Sequence, residues 1–257
     1  WAVIFILVPL GMIFYYGLPN DAGIFTVENI THIFRHAYMK AMLKALKLAA
    51  ISTAVCFLLA YPLCMILSRM KLSRQGSVIT LFILPMWMNF LLRTLTWMTL
   101  LEGKGVINTL LSTLHLPTVN IINTPAAIVI GMVYNFLPFM ILPVYSVLSK
   151  LDKRVIEAAE DLGANSFQVF IKVILPLSVP GIISGTIMVF MPAVTTFVIS
   201  SLLGGGIKLF GDLIQNQMLI TGDWNFGSAL SMVMLILILV SMGFMNKFDT
   251  TEGSSLL

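Results

Sequence analysis

Charge is what this sequence has least of. Only 10% of its 257 residues are Asp, Glu, Lys or Arg, where a soluble domain carries roughly a quarter. With 58% hydrophobic residues and a mean hydropathy of +0.98, the soluble globular class is excluded. Cysteine is nearly absent as well. Cys56 and Cys64 share one apolar run, and eight residues of helix would separate them by ~12 Å, beyond disulfide reach, so they read as packing residues. Of three histidines, His32 and His36 have i, i+4 spacing, but no acidic or Cys ligands accompany them or His115. No metal site is read here. The chain has no G-x-x-x-x-G-K-[ST] phosphate loop and therefore no nucleotide site of that kind. It has no H-E-x-x-H and no intramembrane Asp pair or Ser/His pair, which argues against an intramembrane enzyme. No Asp or Glu falls centrally in any apolar run, which argues against proton or sodium coupling in a secondary transporter.

What is there is lipid-soluble sequence. Apolar runs of about twenty residues match the ~30 Å hydrocarbon core crossed as helix. Six are expected: about 1–18, 43–67, 78–101, 126–148, 180–200 and 227–245. Breakers such as Gly76, Gly103, Pro125, Pro180 and Gly204 to Gly206 lie near their ends. The first run opens at Trp1 and lacks the small-residue cleavage pattern of a signal peptide, so a start upstream of Trp1 is expected. The expected fold is an all-α integral membrane protein, one transmembrane domain over 1–257 with no soluble domain.

Orientation follows from Lys and Arg near the span ends. With both termini cytoplasmic, Arg69, Lys71, Arg74, Lys150, Lys153, Arg154, Lys172 and Lys247 face inward, against Arg35, Lys40, Lys104 and Lys208 outward. The net charge of +4 therefore reports membrane orientation, not nucleic-acid binding.

One segment on the inner side could not dissolve in lipid. Between Lys150 and Leu175, two short helices are legible. Asp152 can cap the first, Val155, Ile156, Ala159 and Leu162 form its apolar stripe, and Gly163 supplies a left-handed stop. Asn165 with Gln168 approximates a capping box for the second. Phe167, Phe170, Ile171, Ile174 and Leu175 then recur at amphipathic spacing, and Pro176 is expected to end the helix. Small residues at Ala158, Ala159 and Gly163 permit close approach by a partner. Such an element either packs on its own bundle or docks something soluble.

Glu157-Ala158-Ala159, then Gly163, then Ile174-Leu175-Pro176, resembles the EAA motif of ABC importer permeases. The stretches at 83–101, 103–108, 131–153, 197–206 and 222–231 extend the resemblance to the spermidine/putrescine permease family. One departure is that Ser200 and Ser201 stand where relatives often carry Pro and an acid. The resemblance implies a type I importer permease in a bacterial inner membrane, with residues 150–176 as the coupling element for an ATPase. It implies a homologous second permease subunit, an ATP-binding cassette dimer and an extracytoplasmic polyamine-binding protein as partners. ATP and Mg would be used by the ATPase, with no cofactor on this chain. Similar importers carry sulfate, iron or phosphonates, and these remain alternative cargoes.

The candidate substrate path is aromatic and polar: Trp87, Asn89, Trp97 and Tyr134, with Asp223 as an outer attractor of cations. Trp faces attract ammonium groups by cation–π contact and pack methylene spacers. On one continuous helix Trp87 and Trp97 would lie ~15 Å apart. Arg93, among these residues, is expected to be structural, holding backbone carbonyls or an acid of a neighbouring span. Lys40, Lys44 and Lys47 share one face and read as snorkelling anchors. Asp212 reads as a solvated loop acid.

Overall fold

The computed structural model describes residues 3–19, 32–33 and 36–253. Trp1 and Arg35 lie outside the described residues. Among the described residues the regular elements are helices. They are α1 (Val8–Gly17), α2 (His36–Arg69), α3 (Leu72–Ile83), α4 (Phe90–Leu101), α5 (Val106–Thr113), α6 (Pro125–Leu148), α7 (Lys153–Asp161), α8 (Ser166–Val169), α9 (Leu175–Thr195), α10 (Val198–Leu203), α11 (Phe210–Gln215) and α12 (Trp224–Gly253). Among the described residues four helices are long and apolar enough to cross a membrane, and a bent pair makes up to a fifth, where six spans are expected from the sequence. The first apolar run is a shorter helix, Ile4–Gly17, packed on α12.

The core is the triangle of α2, α6 and α9. In lipid, apolar contact between helices gains little over contact with acyl chains, so close packing of small residues does the holding. α2 supplies a fully buried stripe of Ala45, Ala49, Ser52, Cys56, Ala60 and Cys64. Their spacing of three or four residues keeps them on one face. Cys64 donates to the Ile141 carbonyl at 3.4 Å, and Ser52 to the Met132 sulfur at 3.3 Å. The cysteines are thus seated in the α2–α6 seam. From the other side, α9 approaches α6 at two glycines. A Cβ on Gly181 would lie 2.9 Å from the Pro143 carbonyl, and one on Gly185 2.7 Å from the Met140 sulfur.

Two expected boundaries are corrected. The run 78–101 is not one helix. Leu84–Trp87 forms a 3₁₀ turn around Pro85, Met88 is extended, and the Asn89 side chain accepts from the Leu91 N–H at 2.8 Å to start α4 anew. The segments Gln75–Trp87 and Phe90–Thr113 meet at 92°. Proline supplies no amide hydrogen and asparagine restarts the ladder, so a sharp turn becomes cheap here.

The second correction concerns Pro176, which does not end its helix. Ser166–Thr195 is a single helix of 30 residues. A π-turn at Phe170–Ile174 precedes the proline, with the Leu175 N–H bonded to the Phe170 carbonyl five residues back. Widening the turn removes the ring clash with the carbonyl four residues before Pro176. The helix then ends at Thr195, short of the expected 200, because Thr196 turns extended.

Candidate functional site

The helix-Gly-helix element takes the form its sequence dictates. The Asp152 side chain accepts from the Arg154 N–H at 3.0 Å and caps α7. Gly163 has φ +86°, and the Ala164 N–H reaches back to the Ala159 carbonyl at 3.1 Å, closing α7 with a left-handed residue. Asn165 and Gln168 exchange side-chain bonds of 2.8 and 2.9 Å, a complete capping box. The apolar stripe splits into two sets. Ile156, Ala159, Phe170 and Leu175 pack against the core, and Ile174 is buried in it. Val155 and Ile171 stay exposed, while Leu162 is 90% and Phe167 69% exposed. Glu157, Ala158 and Pro176 are exposed beside them. The tip therefore presents apolar side chains among acids.

This tip is tied inward at Tyr61 of α2. Its ring meets Phe170 edge-on at 5.8 Å, and its hydroxyl shares a 2.8 Å hydrogen bond with Ser178. Nearby, Tyr145 donates to the Gln75 side chain at 2.8 Å, and Gln75 in turn donates to the Met70 carbonyl at 2.9 Å. The sequence reading missed Tyr61, Gln75 and Ser178. Their only signal was polarity at the edge of apolar runs.

The opposite end of α6 carries the glycine-rich turn. The Asn123 N–H bonds the Leu203 carbonyl at 3.0 Å. At Gly205, φ is +54°, and an added Cβ would collide with the Asn123 side chain. Here Asp212 is not a solvated loop acid. Its Oδ2 accepts from Ser200 Oγ at 2.6 Å and from the Leu209 N–H at 2.7 Å. Burial pushes its carboxyl above the ordinary carboxylate value, while those two bonds and the charge of Lys208 pull it back. An acid thus reaches Ser200 from α11, eleven positions beyond Ser201. Asp212 lines a cavity of about 350 Å³. A second cavity of about 350 Å³ is lined by Lys40, Lys44 and Lys208 with Tyr38, so two of the three expected snorkelling anchors converge with a distant lysine.

The expected path residues are dispersed. Trp87 is 83% exposed, at the bend. Because of that bend, Trp87 and Trp97 do not share the helix that their ~15 Å spacing assumed. Asn89 is spent on capping α4. Trp97 and Tyr134 do meet, edge to face at 5.2 Å. Asp223 caps α12, accepting from the Phe226 N–H at 2.9 Å, in a separate cavity of about 810 Å³ with Tyr16 and Trp224. Arg93 also departs from expectation. It is 8% exposed and lies 5.9 Å over the Phe90 ring, yet its Nε and Nη1 have no hydrogen-bond partner among the described residues. Neither a carbonyl nor an acid holds them.

Against known proteins, the chain is 39% identical over 246 residues to a spermidine/putrescine transport system permease protein PotB of Haemophilus influenzae, covering 92% of this chain and 86% of that one. It is 38% identical over 245 residues to the protein of the same name in Escherichia coli K12, covering 92% and 89%. Two solved structures share the fold. One is a bacterial ABC transporter involved in import of the acidic polysaccharide alginate (TM-score 0.81, 17% identity, 98% of this chain and 91% of that). The other is a bacterial alginate ABC transporter in complex with an alginate pentasaccharide-bound periplasmic protein (TM-score 0.78, 18% identity, 97% and 90%). The profile of the binding-protein-dependent transport system inner membrane components matches residues 1–251, and the chain belongs to that family.

Proposed function

We propose that this chain is the non-catalytic permease subunit of an ATP-driven polyamine importer. In this reading it forms half of the substrate path and docks an ATP-binding cassette subunit through residues 150–176. A homologous permease and an external polyamine-binding protein complete the complex, and both termini are cytoplasmic. The observation that carries the coupling role is the exposed tip: Leu162 and Phe167 stand free beside Glu157, Glu160 and Asp161 on an element whose second helix continues into a span. A monomeric soluble surface rarely leaves such side chains uncovered together. The polyamine cargo is supported by the names of the relatives.

On the path, Trp97 and Tyr134 supply one aromatic wall, and exposed Trp87 is available to a facing subunit. Each Trp face is worth about 0.5–2 kcal/mol to an ammonium. A run of such weak sites passes a cation without trapping it.

A second reading, an anionic solute of the sulfate or phosphonate kind, is favoured by one observation. Lys40, Lys44 and Lys208 converge on one cavity. Uptake of labelled spermidine by proteoliposomes bearing the whole complex decides between the two. Competition by putrescine with none by sulfate or phosphonate supports the polyamine reading, and the reverse pattern overturns it. Co-purification of an ATPase with the tagged chain tests the coupling role, and reagents reacting with Lys208 and Lys172 from opposite sides of the membrane test the orientation.

A further inference from the structure

We propose that the cavity at Asp212 is a stopping point for one primary ammonium group of the cargo. The proposal rests on the polyamine reading and gives that reading a residue. Asp212 is used unevenly. Both of its hydrogen bonds, from Ser200 Oγ at 2.6 Å and the Leu209 N–H at 2.7 Å, fall on Oδ2. Oδ1 accepts from no described donor. Capping α11 needs only one carboxylate oxygen. The other is left with room to accept, on a carboxyl whose charged form burial disfavours and Lys208 favours, so a further cation beside it would be stabilising.

The cavity that Asp212 lines suits an alkylammonium group. Gln215 and Asn216 offer amide oxygens for the remaining N–H groups, and Ile207 and Ile220 offer apolar wall for a methylene spacer. The volume of about 350 Å³ lies at the small end of ligand pockets and takes one arm of a polyamine rather than the whole molecule. The site sits at the end of α6 opposite the helix-Gly-helix element, beside the glycine-rich turn. In the proposed orientation this is the side from which cargo arrives.

Lys208 lines the same cavity and also the lysine cavity behind it, with Lys40 and Lys44. Its charge opposes an arriving ammonium. That keeps the site shallow: cargo is held by one charge-assisted bond beside a competing cation, and it leaves again.

The test is equilibrium binding of labelled spermidine and putrescine to the purified permease–ATPase complex without the external binding protein. Asp212→Asn keeps an acceptor for Ser200 and Leu209 and removes the charge, so the Kd for spermidine should rise about tenfold, the worth of one hydrogen bond to a charged group. Lys208→Gln should lower the Kd by roughly threefold, as loss of one partly screened like charge does. Ser201, on the same cavity wall, offers a rescue: Ser201→Asp added to Asp212→Asn should restore most of the affinity, because the cavity needs the charge rather than that side chain. An unchanged Kd in Asp212→Asn, or no recovery in the double variant, overturns the inference. Should Asp212→Asn fail to assemble, Lys208→Gln carries the test, and an unchanged Kd there overturns it. The cargo reading fails separately, if the wild-type complex with its binding protein takes up neither amine.

Discussion

The two ends of α6 are built by opposite means. At its C-terminal end, the helix-Gly-helix element is held by bonds that span two to five residues: the Asp152 cap, the Asn165–Gln168 box and the Gly163 stop. At its N-terminal end, the glycine-rich turn is held by partners far apart in sequence. Leu203 bonds to Asn123, and Ser200 to Asp212. Both ends use left-handed glycines. Around Gly163 there is open space, while Gly205 is pressed against Asn123. The first end is shaped locally and left exposed. The second is shaped by the rest of the chain and closed upon it.

Gly205→Val should give the largest effect. It combines the strain of a left-handed branched residue with a collision against Asn123, together roughly 3 kcal/mol or more, and should visibly lower the melting temperature of the purified complex. Gly163→Val meets no neighbour and bears only the backbone strain, about 1–2 kcal/mol. Substrate-stimulated ATP hydrolysis should nevertheless fall about tenfold while the external binding protein still docks. Equal melting losses in the two variants would break the contrast between the ends. Asn165→Ala removes one cap and should cost about 1 kcal/mol, read as weaker ATPase retention on a column at raised temperature. Tyr61→Phe should cost less than ~1 kcal/mol, because Ser178 keeps its 2.8 Å bond to the Leu175 carbonyl. Its effect should instead show as slower ATP hydrolysis per binding-protein cycle. Trp87→Leu should leave stability within about 0.5 kcal/mol of wild type, as fits an exposed side chain, yet lower spermidine uptake. Uptake equal to wild type removes Trp87 from the path.

The same contrast explains what was legible from sequence. Asp152, Gly163, Asn165 and Gln168 act within a turn of their own position, so their spacing announces them. The apolar runs announce the spans for the same reason. Asp212 looked like a loop acid because its partner Ser200 lies twelve positions away, on another helix. Pro176 looked like a terminator because a single widened turn upstream leaves no mark in residue type. The bend after Trp87 hid behind uninterrupted hydrophobicity, although Pro85 and Asn89 were both present to make it. Arg93 is expected to be satisfied, and nothing in a linear pattern reports that two of its nitrogens find no partner among the described residues.

The widened turn at Phe170–Ile174 has a mechanical consequence. It keeps Ser166–Thr195 one helix of 30 residues, about 45 Å long, across Pro176 and on through Pro180 and Pro192. Gly181 and Gly185, where α6 leaves no room for a Cβ, lie near its middle. If the helix tilts as a unit about that contact, its two ends move in opposite directions. If Phe167 is drawn toward the bundle axis by some 5° of tilt, Thr195 swings outward by about 1–2 Å on the far arm of ~17 Å. Thr195 stands just before the break at Thr196 that leads into α10, the helix that carries Ser200. In such a tilt, displacement at the helix-Gly-helix tip would reappear, inverted, at the end of the chain that carries the glycine-rich turn.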